Sequence, residues 1–339
     1  MGGNGSYLER LQRRGCEFLG VDHAILGGAM TWVSERRLVA ALSNAGGFGV
    51  LASGAMSPGQ LSEEIKATYA LTARPFGVNL ITMHPELMAL IEVCLDLKVT
   101  HIVLAGGIPP VSAIDRVKAA NRKVLCFAPN LNLARKLIRR GADALVIEGM
   151  EAGGHIGPVA TSVLAQEILP HVREVPVFAA GGIGRGEAIL AYLEMGAAGC
   201  QLGTRFVCAT ESIAHPNFKR AFIKASARDA VPSVQLDPQF SVIPVRALPN
   251  RATQRFLETQ RDVIEKFRRG DLSQKEAQLV IEHFWAGALR RAVIEGDVEN
   301  GSIMAGQSVG MVTQEQPARD IIQELLEQAR APAEARCRT

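Results

Sequence analysis

The chain has 339 residues, 47 % of them apolar, and a formal net charge of +3. So large an apolar share supports a sizeable core and excludes a disordered chain. The small charge excludes a nucleic-acid reader, whose mark is a strongly basic face.

The chain opens on MGGNGSYLERLQRRG, which has no apolar signal-peptide core. No later run approaches the roughly 18 apolar residues of a spanning helix, so no membrane segment is expected. The six cysteines (Cys16, Cys94, Cys126, Cys200, Cys208, Cys337) form no CxxC pair and no zinc-like grouping with histidine, so no metal site is expected. These features read as a soluble protein of the reducing cytoplasm.

From His23 onward, short apolar runs alternate with amphipathic segments. The strand candidates are AILGGAM (from Ala24), GFGVLA (from Gly47), FGVNL (from Phe76), HIVLAG (from His101), KVLCFA (from Lys123), ALVIEG (from Ala144), VPVFAAGG (from Val175) and GCQLGTRF (from Gly199). None alternates polar with apolar, as expected of parallel strands buried on both faces. Helices are expected at 34–44, 85–97, 131–140 and 186–195. The pair Ser34 and Arg37 makes half a capping box, and RRGAD around Gly141 is a helix stop with basic residues in the last turn. Lys136, Arg139 and Arg140 read as a solvated helix face.

Eight βα units in sequence are the number that closes a (β/α)8 TIM barrel, an α/β fold. An open doubly wound sheet is the rival, but it places one glycine-rich fingerprint after its first strand, whereas here glycines follow nearly every strand. After Phe206 the pattern changes to proline-punctuated loops (VPSVQLDPQFSVIPVRALPN) and then long charged helices. NGSIMAGQSVGMV (from Asn300) returns to small residues that suit a segment re-entering the barrel mouth. The division expected is a barrel of residues 20–210 plus 295–330, with a helical lid of residues 211–294 after strand eight. Phe284 and Trp285 on that lid would cover the mouth, make a subunit contact in a homodimer, or simply pack.

Active sites of such barrels lie at the C-terminal ends of the strands. Here those ends are rich in backbone and poor in polar side chains, which suits a large planar ligand approached by the main chain. Glycines follow strand seven (Gly181, Gly182, Gly184) and strand eight (Gly203, with Thr204 as a hydroxyl donor), the two loops where barrels commonly hold a phosphate. His155, in EGMEAGGHIG after strand six, is flanked by Gly153, Gly154 and Gly157, so the chain brings a near-neutral titrating ring close to something. His84 and His215 precede prolines and read as structural, and His283 reads as packing on a helix.

The strings GAMTWVS, PFGVNL, GADALVIEGMEAGGHIG, AAGGI, LGTRFV and GDVENGSIMAGQSVGMV resemble the FMN-dependent family of nitronate monooxygenases and flavin-type enoyl-ACP reductases, from about Gly20 to Ala329. The resemblance implies FMN phosphate on Gly182, Gly203 and Thr204, with Gly181 also binding the cofactor. It implies the isoalloxazine near Gly28, Met30, Asn79 and Glu148, edged by Gly153 and Gly154, with Met304 and Gln307 returning beside it. His155 matches the family's active-site histidine. Relatives often carry Gln-Gly-Gly-Met at the first strand end, where this chain has Gly27-Gly28-Ala29-Met30 and so lacks the glutamine side chain. The implied activity is oxidation of an alkyl nitronate with O2. The alternative is NAD(P)H-dependent reduction of an enoyl thioester or quinone, with acyl carrier protein as a partner. A flavin-binding barrel without turnover is the third reading.

Overall fold

A computed structural model describes residues 6–240 and 242–337; the side chains of Glu282, His283, Ala286 and Cys337 lie outside the described residues, and with them the reading of His283. Strands β1 (Ile25–Gly27), β2 (Gly49–Ala52), β3 (Phe76–Ile81), β4 (His101–Ala105), β5 (Lys123–Phe127) and β6 (Ala144–Glu148) are followed by a two-residue rim strand β7 (Gly154–His155), then β8 (Val177–Ala180) and β9 (Gly199–Leu202). All but β7 pair in parallel in the order β1-β9-β8-β6-β5-β4-β3-β2. A parallel bridge between Leu26 and Phe48 joins the two ends and closes the barrel. All eight apolar runs of the sequence are thus barrel strands.

Helices α1 (Tyr7–Leu19), α2 (Arg36–Asn44), α3 (Pro58–Leu71), α4 (Leu87–Asp96), α5 (Val111–Ala119), α6 (Leu131–Arg139), α7 (Thr161–Ile168) and α8 (Gly186–Glu194) include the four expected, each within two residues of its expected bounds. The start of α2 differs for a physical reason. Its N-cap is Glu35, whose carboxylate accepts from the N–H groups of Arg37 and Leu38. Ser34 instead donates its hydroxyl to the Gly28 carbonyl at 2.7 Å and accepts the Met30 N–H at 3.0 Å, pinning the first βα loop. Gly141 does end α6, at φ +101°.

Alternation along the strands sorts the core in two. One apolar cluster fills the barrel itself (Leu26, Phe48, Val50, Val103, Leu125, Val146, Phe178), while the larger one lies between strands and outer helices. Phe18 and Leu19 at the end of α1 plug the N-terminal end, where the Phe18 and His101 rings meet edge-on at 5.3 Å.

After the last barrel strand come α9 (Pro216–Lys224), the short strands β10 (Val231–Pro232) and β11 (Val245–Leu248), then α10 (Arg251–Arg269), α11 (Gln274–Val293), β12 (Ile303–Met304) and α12 (Ala318–Cys337). Two strands therefore lie in the stretch that reads as proline-punctuated loop; at two and four residues they are too short to show a period. They form a second, antiparallel sheet in which β11 pairs with β10, β12 and β7. Helix α12 packs against both α8 and α2 and so occupies the eighth place of the outer ring. The appendage is inserted between the last strand and its helix.

Trp285 is buried, in a cluster with Phe240, Val245, Phe256 and Val263 within the appendage, and its ring lies 4.5 Å from that of Phe256. Its ring is thus used in packing, the third of the roles expected of it. Among the described residues no helix is long and apolar enough to cross a membrane.

Candidate active site

The period of two that places Leu26, Val50, Val103, Val146 and Phe178 inside the barrel carries on to its C-terminal mouth. The inward positions there are Gly28, Ala52, Asn79, Ala105, Phe127, Glu148, Ala180 and Gln201. Three of these are polar. Glu148 pairs in register with Ala180, and Ala180 with Gln201, so the two polar groups flank one alanine about 10 Å apart across two strand spacings. Asn79 stands on the other side of the mouth; its carbonyl accepts the Ser53 hydroxyl at 2.6 Å and its amide donates to the Val103 carbonyl at 3.5 Å.

Glu148 is the odd member. No hydrogen bond or ion pair reaches its carboxyl among the described residues, and burial alone pushes its pKa up to about 7. Gln201 is 8 % exposed and likewise makes no side-chain hydrogen bond among the described residues. Sequence reading missed Gln201. Its signal is the alternation within CQLGT, where Cys200 and Leu202 face the outer helices and Gln201 must face in.

Above this floor lie the two glycine loops. Gly181 and Gly182 both have positive φ, +96° and +71°, which a side chain rarely adopts. The backbone N–H groups of Gly182, Gly203 and Thr204 find no protein acceptor among the described residues. Gly28 and Gly203 are drawn together by the Gly28 N–H donating to the Leu202 carbonyl at 2.8 Å, and Met30 lies against Gly203. The Thr204 hydroxyl accepts the Gly306 N–H at 2.9 Å and so keeps its own proton to donate.

The histidine loop is held from three sides. Glu151 accepts the Thr161 N–H and hydroxyl at 2.9 and 3.0 Å, capping α7, while its carbonyl accepts the Gln307 N–H at 2.9 Å. Gly153 lies against the returning segment so closely that a Cβ there would sit 2.6 Å from the Gly306 nitrogen. Gly154 and His155 pair with Arg246 and Val245 of β11, and β12 sets Met304 beside Gly154. His155 is exposed on this rim strand. Arg246, a second residue the sequence reading passed over, is 2 % exposed and donates from Nε to the Met150 carbonyl at 2.9 Å. Burial lowers its pKa, with Glu151 acting in the opposite sense.

His84 and His215 have the structural role expected of them, each accepting through Nδ1 from a backbone N–H two residues on, at 3.1 Å. Every expected site residue thus falls on the C-terminal face of the barrel. Gly28, Met30, Gly203 and Thr204 meet, Thr204 joins the returning segment at Gly306, and the Glu151 carbonyl holds Gln307 next to it.

A closed barrel with a polar-floored mouth, glycine loops after its last two strands and a histidine strand stitched to an inserted subdomain defines a (β/α)8-barrel enzyme. The nitronate monooxygenase family model matches residues 13–92 and 86–328, and the chain belongs to that family. It is similar to the FabK structure from Thermotoga maritima, at 36 % identity and TM-score 0.84 over 98 % of both chains. A nitroalkane oxidase structure from Streptomyces ansochromogenes matches at 28 % identity and TM-score 0.76, over 94 % of this chain and 98 % of that one. A 5-hydroxy-7a-methyl-1-oxo-octahydro-1H-indene-4-carboxyl-CoA dehydrogenase from Rhodococcus jostii is 31 % identical over 90 % of this chain and 92 % of its own length. The chain is accordingly an oxidoreductase, and its enzyme relatives act on small-molecule substrates.

Proposed function

We propose that the protein is an FMN-dependent oxidoreductase whose substrate is handled by His155. The observation that supports the cofactor is the cluster of N–H groups at Gly182, Gly203 and Thr204 that find no acceptor among the described residues, with the Thr204 proton beside them, because a phosphate would satisfy all of them at once. In this reading Gly181 shapes the turn, and Asn79, Glu148 and Gln201 form a polar floor beneath a flat ring. Gly28 and Met30 line one end, while Gly153, Gly154, Met304 and Gln307 line the other. Bound FMN supplies the redox chemistry by accepting and returning electrons and hydride, and the protein supplies position and protons.

His155 then acts on substrate. With an alkyl nitronate, the activity of the family's name, it hydrogen-bonds the nitro oxygens or moves a proton at the substrate carbon, with O2 as the final oxidant. A second reading rests on the FabK likeness at 36 % identity, above that to the nitroalkane oxidase at 28 %. There the substrate is an enoyl thioester, NAD(P)H is the electron donor, and His155 polarises the carbonyl or protonates the product. An acyl carrier protein would be a partner only in that case. Residues 20–210 and 295–330 form the cofactor barrel in this account. Residues 211–294 serve as a lid region and act on His155 through β11.

Heat-released cofactor from purified protein tests the first claim. It should co-elute with FMN at about one per chain; FAD, or a colourless protein that takes up no FMN, overturns it.

A further inference from the structure

We propose that Glu148 is a proton-linked receptor for the bound cofactor: its neutral carboxylic acid favours FMN and its carboxylate opposes it. The inference rests on the FMN reading above and adds a regulation to that site.

Geometry singles this residue out. Glu148 ends β6 on the inward face, beside Ala180, directly under the loop from Gly181 to Gly182. It is a carboxyl without a protein partner among the described residues, set in the floor of a mouth. Elsewhere in the chain the inward or buried carboxylates are engaged: Glu64 with Arg36 at 2.5 Å, Glu151 with Thr161, Asp143 with Lys118 at 2.5 Å. Glu148 keeps part of its surface open to the mouth but is enclosed on its other sides, and an acid so enclosed and left alone is costly as a carboxylate and inexpensive as a neutral acid.

Among the described residues, no charge stands by to reverse this. Across β5 the charged residue is Lys123, at the far end of the barrel; β8 carries none. From β3, β4 and β9 the inward polar groups are Asn79, His101 and Gln201, with His101 down among Phe18 and Phe48. In the loop above, Glu151 is turned to Thr161, His155 is on the rim strand, and Arg246 of β11 donates to Met150. None of them perturbs the Glu148 carboxyl enough to rival its burial.

FMN brings a negatively charged phosphate and a ring rich in hydrogen-bond acceptors. A neutral carboxylic acid has one O–H to give such a ligand; a carboxylate has none and adds a like charge. Binding must therefore raise the affinity of Glu148 for its proton, and by linkage rising pH must weaken FMN binding.

The test uses full-length protein stripped of FMN and its Glu148→Gln variant, with FMN affinity followed by flavin fluorescence from pH 6 to 9. The wild-type dissociation constant should rise from about pH 7 upward, approaching tenfold per pH unit, and the variant should stay flat above pH 7. Phosphate ionisation, with a second pKa of about 6, affects both proteins alike and in the opposite direction. Calorimetry on the wild type alone, in buffers of different ionisation enthalpy at pH 8, should show uptake of close to one proton per FMN, so the claim does not depend on the variant folding. Equal pH profiles, or no proton uptake at pH 8, overturn this inference while leaving the cofactor reading intact. Failure of the wild-type protein to bind FMN overturns both; if the variant alone fails to bind, the wild-type calorimetry decides.

Discussion

The hydroxyl of Thr204, just past the last barrel strand, accepts the N–H of Gly306 at 2.9 Å, joining two loops that are 102 residues apart in the chain. In the proposed FMN site the same hydroxyl would have two duties, as acceptor for the returning segment and as donor to the phosphate. Thr204→Val should remove both. Cofactor affinity should fall by about 1.5–3 kcal/mol, the range for a hydrogen bond to a charged group. The apoprotein should lose about 1–3 kcal/mol from stranding the buried Gly306 N–H. Thr204→Ser should restore both. A variant with an unchanged FMN dissociation constant would show that the hydroxyl does not serve the phosphate.

Gly153→Ala should destabilise by about 1–3 kcal/mol, because its Cβ would meet backbone atoms of Ala305 and Gly306 that cannot yield. Gly157→Ala, where a Cβ meets nothing within 4 Å, should stay within about 0.5 kcal/mol of the parent. Urea unfolding of both variants checks the contrast. Equal effects would mean that the close approach of the two loops is not what the glycine preserves.

His101 sits in the barrel interior with its Nε2–H donating to the Phe18 carbonyl at 2.9 Å and Nδ1 at 2.9 Å from the Thr100 hydroxyl, and burial lowers its pKa below 6.5. The unfolded chain then binds a proton that the folded one refuses, so stability falls as pH drops below about 6.5. The slope from this group is at most about 1.4 kcal/mol per pH unit. Glu148 works in the opposite sense between pH 4.5 and about 7, since its raised pKa makes the folded state hold the proton. The informative quantity is therefore a difference. His101→Gln should lose less stability than its parent between pH 6.5 and 5. Parallel curves would contradict the assignment.

Trp285→Ala should cost the appendage about 3–5 kcal/mol, the range for emptying a buried aromatic site. Hydrogen exchange should localise the loosening to α10 and α11, and solution mass should not change. A fall in mass would put Trp285 at a subunit contact after all.

Much of this molecule is legible in its sequence because parallel strands covered on both faces leave uninterrupted apolar runs, and all eight were visible as such. The glycine loops were legible because φ values of +96° and +71° at Gly181 and Gly182 admit little else. What escaped has local causes. Strands β10 and β11 are too short to carry a period, and the other partners of β11, β7 and β12, are distant in sequence, so pairing alone defines them. Ser34 looked like a helix cap because its spacing allows that, yet its hydroxyl is better used bridging Gly28 and Met30. Gln201 was hidden in a motif whose glycine and threonine drew attention, although alternation alone turns it inward. That residues 295–330 return to the barrel was legible, but the place of α12 between α8 and α2 depends on tertiary contacts that its own apolar face does not specify.

The most direct test of the account is anaerobic stopped-flow mixing of the yellow wild-type protein and His155→Ala with an alkyl nitronate, an enoyl thioester with NADPH, and the same thioester with NADH. The wild type should lose its flavin absorbance with nitronate, or with a reduced nicotinamide and then regain it on thioester addition. His155→Ala should bind FMN with its fold intact but carry out the substrate step about 10²–10⁴-fold more slowly, the usual span for a positioned acid or base. Loss of FMN from the variant with normal turnover in what remains loaded, or a wild-type flavin that none of these reagents reduces, would contradict the account.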